Sequence, residues 1–247
     1  MRFFFSLLVA CFLASSFLKF TPSDFLDEQL KFVRVREAKA AKSESLAKKL
    51  KAFNLDEKSV NVLLVAIKNS DELRVFVKHK TDKKFQLFET YSICARSGGL
   101  GPKRMQGDGQ VPEGLYYIDR FNPTSNFYLS LGVSYPNAAD LKKCGNNKPG
   151  GDIFIHGSCV TIGCLPMTDD KIKEIYLLAV YAKNNGQNRI PVYIFPFEMN
   201  ELNMKLFATS SPHTQFWRNL KTGYDSFQQS QQALSYTIDS KGDYQIQ

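Results

Sequence analysis

Histidine is scarce in this chain of 247 residues: His79, His156 and His213 are the only three, beside one tryptophan and five cysteines. No two cysteines form a C-x-x-C pair, so a zinc site built from His156, Cys159 and Cys164 lacks a clear fourth ligand. Neither metal nor cofactor is expected. Acidic residues are outnumbered by basic ones, 24 against 32, which leaves a net charge of +8. No internal repeat is evident. With 43% hydrophobic and 23% charged residues, the composition excludes wholesale disorder and a polytopic membrane protein. The length suits one large globular domain with appendages. A basic excess of this size admits nucleic acid, an acidic surface or an anionic polymer as partner.

The placement of the charge narrows that choice. Lys31–Lys51 holds eight Lys/Arg and two Glu, a local net of +6, whereas residues 52–247 carry only +3. Ahead of this stretch, Met1–Lys19 reads as an export leader. Arg2 is a minimal basic region, Phe3–Leu13 is apolar apart from Ser6, and Ala14, Ser15 and Ser16 are small residues at which cleavage is expected. The run is short for a membrane span, which needs about 20 residues. Leu8-Val9-Ala10-Cys11 also has the order of a bacterial lipoprotein box, although the apolar residues continuing past Cys11 favour simple cleavage over acylation. The expectation is an exported protein of the periplasm or cell envelope. There the basic stretch meets anionic membrane-surface groups, and nucleic acid is not a partner.

Ser23–Leu55 contains no Gly or Pro and reads as helix, with Leu26, Leu30, Val33, Leu46, Leu50 and Phe53 at helical spacing. From Val60 the pattern turns to strands: VNVLLVAIK, the alternation around Leu73, Val75 and Val77, KFQLFETYSI, GLYYIDR, FYLSLG, DIFIH and IPVYIF. A Gly/Pro-rich loop spans Ser97–Gly114. One helix, from about Asp169 to Ala182 with Thr168 as cap, interrupts the strands. Phe216, Trp217, Leu220, Tyr224 and Phe227 mark a second amphipathic helix. The expected fold is mainly β with an inserted helix, an α+β barrel or sandwich with helical appendages at both ends. The expected organisation is a leader over 1–19, a basic helical segment over 20–57, a core over 58–199 and a helical extension over 200–247 packed on that core.

The chemistry-bearing stretch is DIFIHGSCVTIGCLPMTDD. A strand delivers His156, Gly157 permits a turn, and Gly163-Cys164 follows shortly before a helix. A thiol needs a base or a positive field to become a nucleophile near neutral pH, and an imidazole has a suitable pKa. The amides of Gly163 and Cys164 are candidates for an oxyanion hole. On spacing alone a second reading stands beside this one, a buried cysteine near a histidine satisfied by carbonyls. A papain-type order is disfavoured, because only His213 follows Cys164.

These residues carry a resemblance. IHG followed by Thr161-Ile162-Gly163-Cys164 is similar to the signature of the YkuD-type L,D-transpeptidases, bacterial cell-wall enzymes. HGSCVTIGC-x-x-MTD, GPKRMQGDGQVPEGLYYI, SYPNAAD and FW-x-NL-x-x-GY-D-x-F resemble the YafK-like branch from about Val60 to Phe227. The resemblance implies that Cys164 attacks the carbonyl after the L-centre of a meso-diaminopimelate residue in a peptidoglycan stem peptide. It further implies His156 as base, oriented by a backbone carbonyl, with the Gly163 and Cys164 amides facing the oxyanion. Lys103, Arg104, Tyr135 and Gly157 become candidate substrate contacts. Two departures from the broad family, Ile162 in place of its usual His and Pro166 in place of its usual Arg, leave the outcome open between crosslinking and release of a linked peptide or envelope protein. A non-catalytic peptidoglycan-binding protein is the rival of another class. Cys144–Cys159 is a conceivable disulfide, Cys94 reads as a core thiol, and His79 and His213 read as exposed.

Overall fold

The computed structural model describes residues 24–247; the leader, Cys11 and the cap candidate Ser23 lie outside the described residues. The expected long amino-terminal helix is two helices, α1 (Asp24–Leu30) and α2 (Val33–Lys51). Their break at Lys31–Phe32 resets the helical phase. Val35, Ala38, Leu46 and Leu50 turn inward, while Val33, expected on the apolar face, is exposed. The basic stretch is partly spoken for. Arg34 donates to the Ser125 and Tyr128 carbonyls at 2.5 and 2.7 Å, Lys42 pairs with Asp170, and Lys49 bridges Glu89 and Glu174. Lys48 and Lys51 stay exposed. No helix among the described residues is long and apolar enough to cross a membrane.

The core is one eight-stranded mixed sheet. Its strands are β1 (Val60–Ile67), β2 (Glu72–His79), β3 (Gln86–Ser92), β4 (Gly114–Asn122), β5 (Ser130–Val133), β6 (Phe154–His156), β7 (Leu165–Pro166) and β8 (Pro191–Phe195). They are ordered β3-β2-β1-β8-β4-β5-β6-β7, with β1–β8 and β6–β7 parallel and the other pairs antiparallel. Between β5 and β6 lies a short helix, α3 (Ala138–Lys143), closed by a capping box between Asn137 and Asp140.

The apolar run of β1 is explained by burial on both faces. Val62, Leu64 and Ala66 face α2 and the central helix α4 (Asp169–Asn184). Leu63, Val65 and Ile67 face a second core that includes Phe216, Trp217, Leu220, Tyr224 and Phe227 of α6 (Thr214–Ser230). Thr168 caps α4 by accepting from the Lys171 amide, as its position suggested. Helix α4 is buried almost all round, because α1, α2 and the sheet enclose it. Before α6, a short helix α5 (Glu201–Asn203) runs into a π-helical turn over Met204–Ala208. After it, a hairpin of β9 (Tyr236–Ile238) and β10 (Tyr244–Ile246) pins the carboxyl end through Tyr244, whose hydroxyl accepts from the Leu115 amide. Sequence periodicity did not reveal α3, α5 or this hairpin, all too short to show a period.

The α+β expectation holds, but the barrel or sandwich is a single curled sheet. Register shifts at Val75/Phe76 and Ile118/Arg120 bend it. Its two edges, β3 and β7, then approach each other: the Cys94 amide, two residues past β3, donates to the Pro166 carbonyl at 3.0 Å. A disulfide joins Cys94 to Cys159. Cys94 is therefore not a core thiol, and Cys144, the other partner considered for Cys159, is a free buried cysteine.

Behind the curl, a buried ion pair anchors the Gly/Pro-rich loop. Lys68 Nζ donates to the Gly101 and Val111 carbonyls at 2.8 and 2.9 Å and to Glu113 Oε1 at 2.9 Å. Glu113, fully buried, also accepts from the Gly101 amide and from Trp217 Nε1 at 2.7 Å each. A charge taken out of water is tolerated only when so fully satisfied. Lys68→Met leaves the Glu113 carboxylate without its cation, and a loss of about 3–5 kcal/mol is expected in urea unfolding. Adding Glu113→Gln to that variant is expected to recover part of the loss; recovery of none would show that the loss comes from packing rather than charge.

Candidate active site

Parallel pairing of β6 with β7 sets the site. Ile155 pairs with Leu165 and His156 with Pro166, so Cys164 stands level with Phe154, two positions from His156 and on the same face of the sheet. The His156 ring is buried and stacks against Phe127 at 4.7 Å between centroids. Its Nδ1 lies 2.5 Å from the Gly157 carbonyl oxygen. A carbonyl only accepts, so Nδ1 carries the proton and Nε2 presents its lone pair. Burial lowers the His156 pKa from the usual histidine value, with the Gly157 hydrogen bond opposing. Burial favours a neutral imidazole, and this contact leaves its lone pair on Nε2.

Cys164 is half-buried, and its thiol donates to the Asp152 carbonyl at 3.6 Å. Burial raises its pKa above the usual thiol value and Asp152 adds to this, while the Phe154 backbone hydrogen bond and the charge of Lys103 work in the opposite direction. Both shifts favour the neutral thiol and the neutral imidazole over an ion pair. Among the described residues no hydrogen bond joins His156 to Cys164.

The segment between them is tightly held. Gly157 has no room for a side chain: a Cβ there would meet Asp169 Oδ1 at 2.6 Å and the Phe127 carbonyl at 2.8 Å. The residue nominated for substrate contact is thus a close-packing position. Ser158, with a positive φ of 65°, donates its amide to Asp169 at 2.8 Å. Cys159 is tied to Cys94, which removes its sulfur from any zinc set with His156 and Cys164. Thr161 Oγ1 accepts from the Gly163 and Cys164 amides at 3.1 and 2.9 Å and donates to the Cys164 carbonyl at 2.8 Å. The two amides nominated for an oxyanion hole are therefore engaged by a hydroxyl. Gly163 contributes its conformation, with φ +137° and the Gln110 carbonyl 3.0 Å from where a Cβ would stand.

The other nominated contacts, Lys103 and Arg104 of the Gly/Pro-rich loop and Tyr135 after β5, are engaged by other residues of the protein. Lys103 is buried, donating to the Met105 carbonyl at 2.8 Å and to Asp108 at 2.6 Å. Arg104 donates to Asp140 at 2.9 Å and lies over the Phe216 ring. Tyr135 is buried, its hydroxyl donating to the Lys103 and Pro149 carbonyls. Their charges and rings shape the loop and leave the cleft wall to others. That cleft is lined by Cys164 and Leu165, by the apolar Ile93, Ala95, Leu100 and Val111, and by Arg96 and Asp71. Neither Arg96 nor Asp71 was given a role from the sequence, and Thr161 entered only as part of the motif that ends at Cys164. Arg96 stands two residues beyond Cys94, beside the SGGLG run, and that position was the one available hint.

A strand-borne imidazole bound through Nδ1 to a carbonyl thus stands on the strand next to a cysteine that lines a cleft, on a curled-sheet scaffold. The chain belongs to the YkuD family, the L,D-transpeptidase catalytic domain, which matches residues 61–194. It is 39% identical over 179 residues to the Escherichia coli K12 protein named "Putative L,D-transpeptidase YafK", covering 72% of this chain and 70% of that one, and its O157:H7 counterpart matches equally. Among solved structures, the helical cell shape determining protein Pgp2 of Campylobacter jejuni overlaps 81% of this chain and 97% of that chain at 16% identity, TM-score 0.46. Bdellovibrio bacteriovorus Bd1075 overlaps 70% and 59% at 23% identity, TM-score 0.40.

Two outcomes follow from this geometry. Because burial lowers the His156 pKa, its base form persists to lower pH, and the acid limb of kcat/KM is expected below the ordinary histidine value. A limb at or above that value would contradict the neutral-imidazole arrangement. Replacing Cys94 and Cys159 together by Ala is expected to remove about 4 kcal/mol of stability, from the chain-entropy estimate for a 65-residue separation, and to slow turnover by loosening the Ser158–Gly163 segment. Unfolding midpoints and rates measured on the double variant check both.

Proposed function

We propose that this protein is an exported, cysteine-dependent enzyme acting on peptidoglycan stem peptides in the cell envelope. The observation that carries the reading is the contact of His156 Nδ1 with the Gly157 carbonyl, which leaves Nε2 to take a proton, on the strand paired beside Cys164. His156 takes the thiol proton as Sγ attacks the carbonyl carbon after the L-centre of meso-diaminopimelate. The imidazolium then returns the proton to the leaving amine, and a thioester on Cys164 remains. An amine acceptor gives a transpeptide and water gives a hydrolysed stem, with His156 again removing the acceptor's proton. For the Gly163 and Cys164 amides to face the oxyanion, the Thr161 hydroxyl must release both of them. Its position 3.1 and 2.9 Å from the two nitrogens is that of an acceptor oxygen. The exposed Lys48 and Lys51, with the expected leader, support a mature protein resting near anionic envelope surfaces.

Incubation of the purified protein with sacculi, followed by mass spectrometry of released and crosslinked muropeptides, tests the reading and separates transfer from hydrolysis. Cys164→Ala is expected to lower turnover by about a thousandfold or more. A thiol probe is expected to label Cys164 in preference to the buried Cys144. Wild-type turnover by Cys164→Ala would overturn the assignment. Sedimentation with sacculi without any turnover by the wild type would indicate a binding protein instead.

A further inference from the structure

The contacts that hold His156 trace back to one loop. Between β4 and β5, residues 123–129 bring the Phe127 ring onto the imidazole, 4.7 Å between centroids. The same loop carries the Leu129 carbonyl, which accepts from the Gly157 amide at 3.1 Å. Its Phe127 carbonyl fills the space where a side chain on Gly157 would stand. Gly157 in turn presents the carbonyl that His156 Nδ1 meets. The stacking partner of the imidazole and its hydrogen-bond partner therefore both sit where this loop puts them.

The loop has little of its own to hold it. The Phe127 amide donates to the Ser125 hydroxyl and the Thr124 amide to Asn122 Oδ1, each at 3.1 Å. Tyr128 has φ +70°, in the left-handed region that a bulky side chain disfavours. Its hydroxyl is buried and makes no hydrogen bond among the described residues. Two unfavourable features on one residue persist only where its neighbours over-determine the conformation. Here the neighbour is Arg34. Its Nη1 donates to the Ser125 and Tyr128 carbonyls at 2.5 and 2.7 Å, and its guanidinium lies over the Tyr128 ring at 5.7 Å. Those two carbonyls bracket Phe127. Lys173 of α4 lies over the Tyr128 ring as well, at 5.5 Å. Arg34 stands in the first turn of α2, ahead of residues 61–194 that the family domain spans, and the buried Val35 and Ala38 fix the helix that carries it.

We propose that Arg34 is a positioning residue for His156, acting through the Ser125–Tyr128 turn and the Phe127 ring. By clamping two carbonyls it keeps Phe127 over the imidazole and the loop against Gly157. That keeps water off one face of the ring and Nδ1 on its carbonyl, so that Nε2 is the nitrogen left to take a proton. The assignment deepens the function proposed above and rests on it for the role of His156 as base. It makes the basic amino-terminal helix a working part of the active site, although that helix lies outside the family domain. Part of the positive charge that suits an anionic partner is instead engaged by backbone oxygens beside the base.

The test reads the imidazole directly. With only three histidines in the chain, proton NMR of Cys164→Ala resolves His156 once His79→Gln and His213→Gln have assigned the other two. Adding Arg34→Ala is expected to move the His156 titration upward, toward the ordinary histidine value, as the ring gains water. In the active enzyme Arg34→Ala is expected to lower kcat about tenfold, as for loss of a charge-assisted hydrogen bond, with KM nearly unchanged. Arg34→Lys, whose ammonium still donates to carbonyls, is expected to recover part of both. Phe127→Ala is expected to move the titration the same way, and the double variant Arg34→Ala, Phe127→Ala to move it little further. Shifts that add in full would show the Arg34 charge acting on the ring directly and overturn the proposal. So would a lower kcat and a lower unfolding midpoint with the His156 titration unmoved, which is the mark of a merely structural residue. An unmoved titration beside a wild type that turns over muropeptides overturns the positioning role and leaves the function intact. A moved titration beside a wild type without turnover overturns the function and keeps the positioning role.

Discussion

The structure depends on the meeting of two sheet edges. A sheet ordered β3-β2-β1-β8-β4-β5-β6-β7 leaves its first and last strands with unpaired backbone groups. Here the curl lets the amide of Cys94 satisfy the Pro166 carbonyl, and the disulfide to Cys159 fixes the contact covalently. The pairing of β6 with β7 places His156 and Cys164, and that closure secures the segment between them. It also sets Ile93, Ala95 and Arg96 in the wall of the cleft that Cys164 lines. Without it β7, only two residues long, would rest on the β6 ladder alone.

A second layer of order lies in buried polar groups behind the Gly/Pro-rich loop. Glu113 gathers Lys68, the Gly101 amide and Trp217, and Asp140 gathers Arg104, Tyr116 and the Asn137 amide. Burial raises the Asp140 pKa to about 6 despite the Arg104 guanidinium. A loop so rich in glycine has little apolar surface to bury. Hydrogen bonds to a few interior carboxylates supply the order that packing does not. That accounts for basic residues in a loop that reads, in sequence, like a substrate-binding surface.

Much of the fold was legible because its signals are periodic. The run of β1, the alternation of β2, the Thr168 cap of α4 and the apolar stripe of α6 each report a local environment through residue spacing. Cys164 and His156 were legible for a different reason, since few residue types carry that chemistry and they stand close together in the chain. What escaped was long-range. No spacing rule links Cys94 to Cys159 across 65 residues, nor Lys68 to Glu113, nor tells that Lys103 folds back on Asp108. The break between α1 and α2 was missed because Lys31 and Phe32 are not helix breakers. It comes from packing, which brings Val35 and Ala38 to the core at Val33's expense.

The Cys94–Cys159 bond has a chemical implication apart from rigidity. Its formation removes two electrons and two protons from the chain, so the last wall of the cleft is set by an oxidation rather than by folding alone. The oxidant that accepts those electrons must also spare Cys164, half-buried a few residues away, and Cys144, sealed in the interior. Maturation of this protein is thus a selective redox event, in which three thiols near one loop are sorted into two structural sulfurs and one that stays reduced.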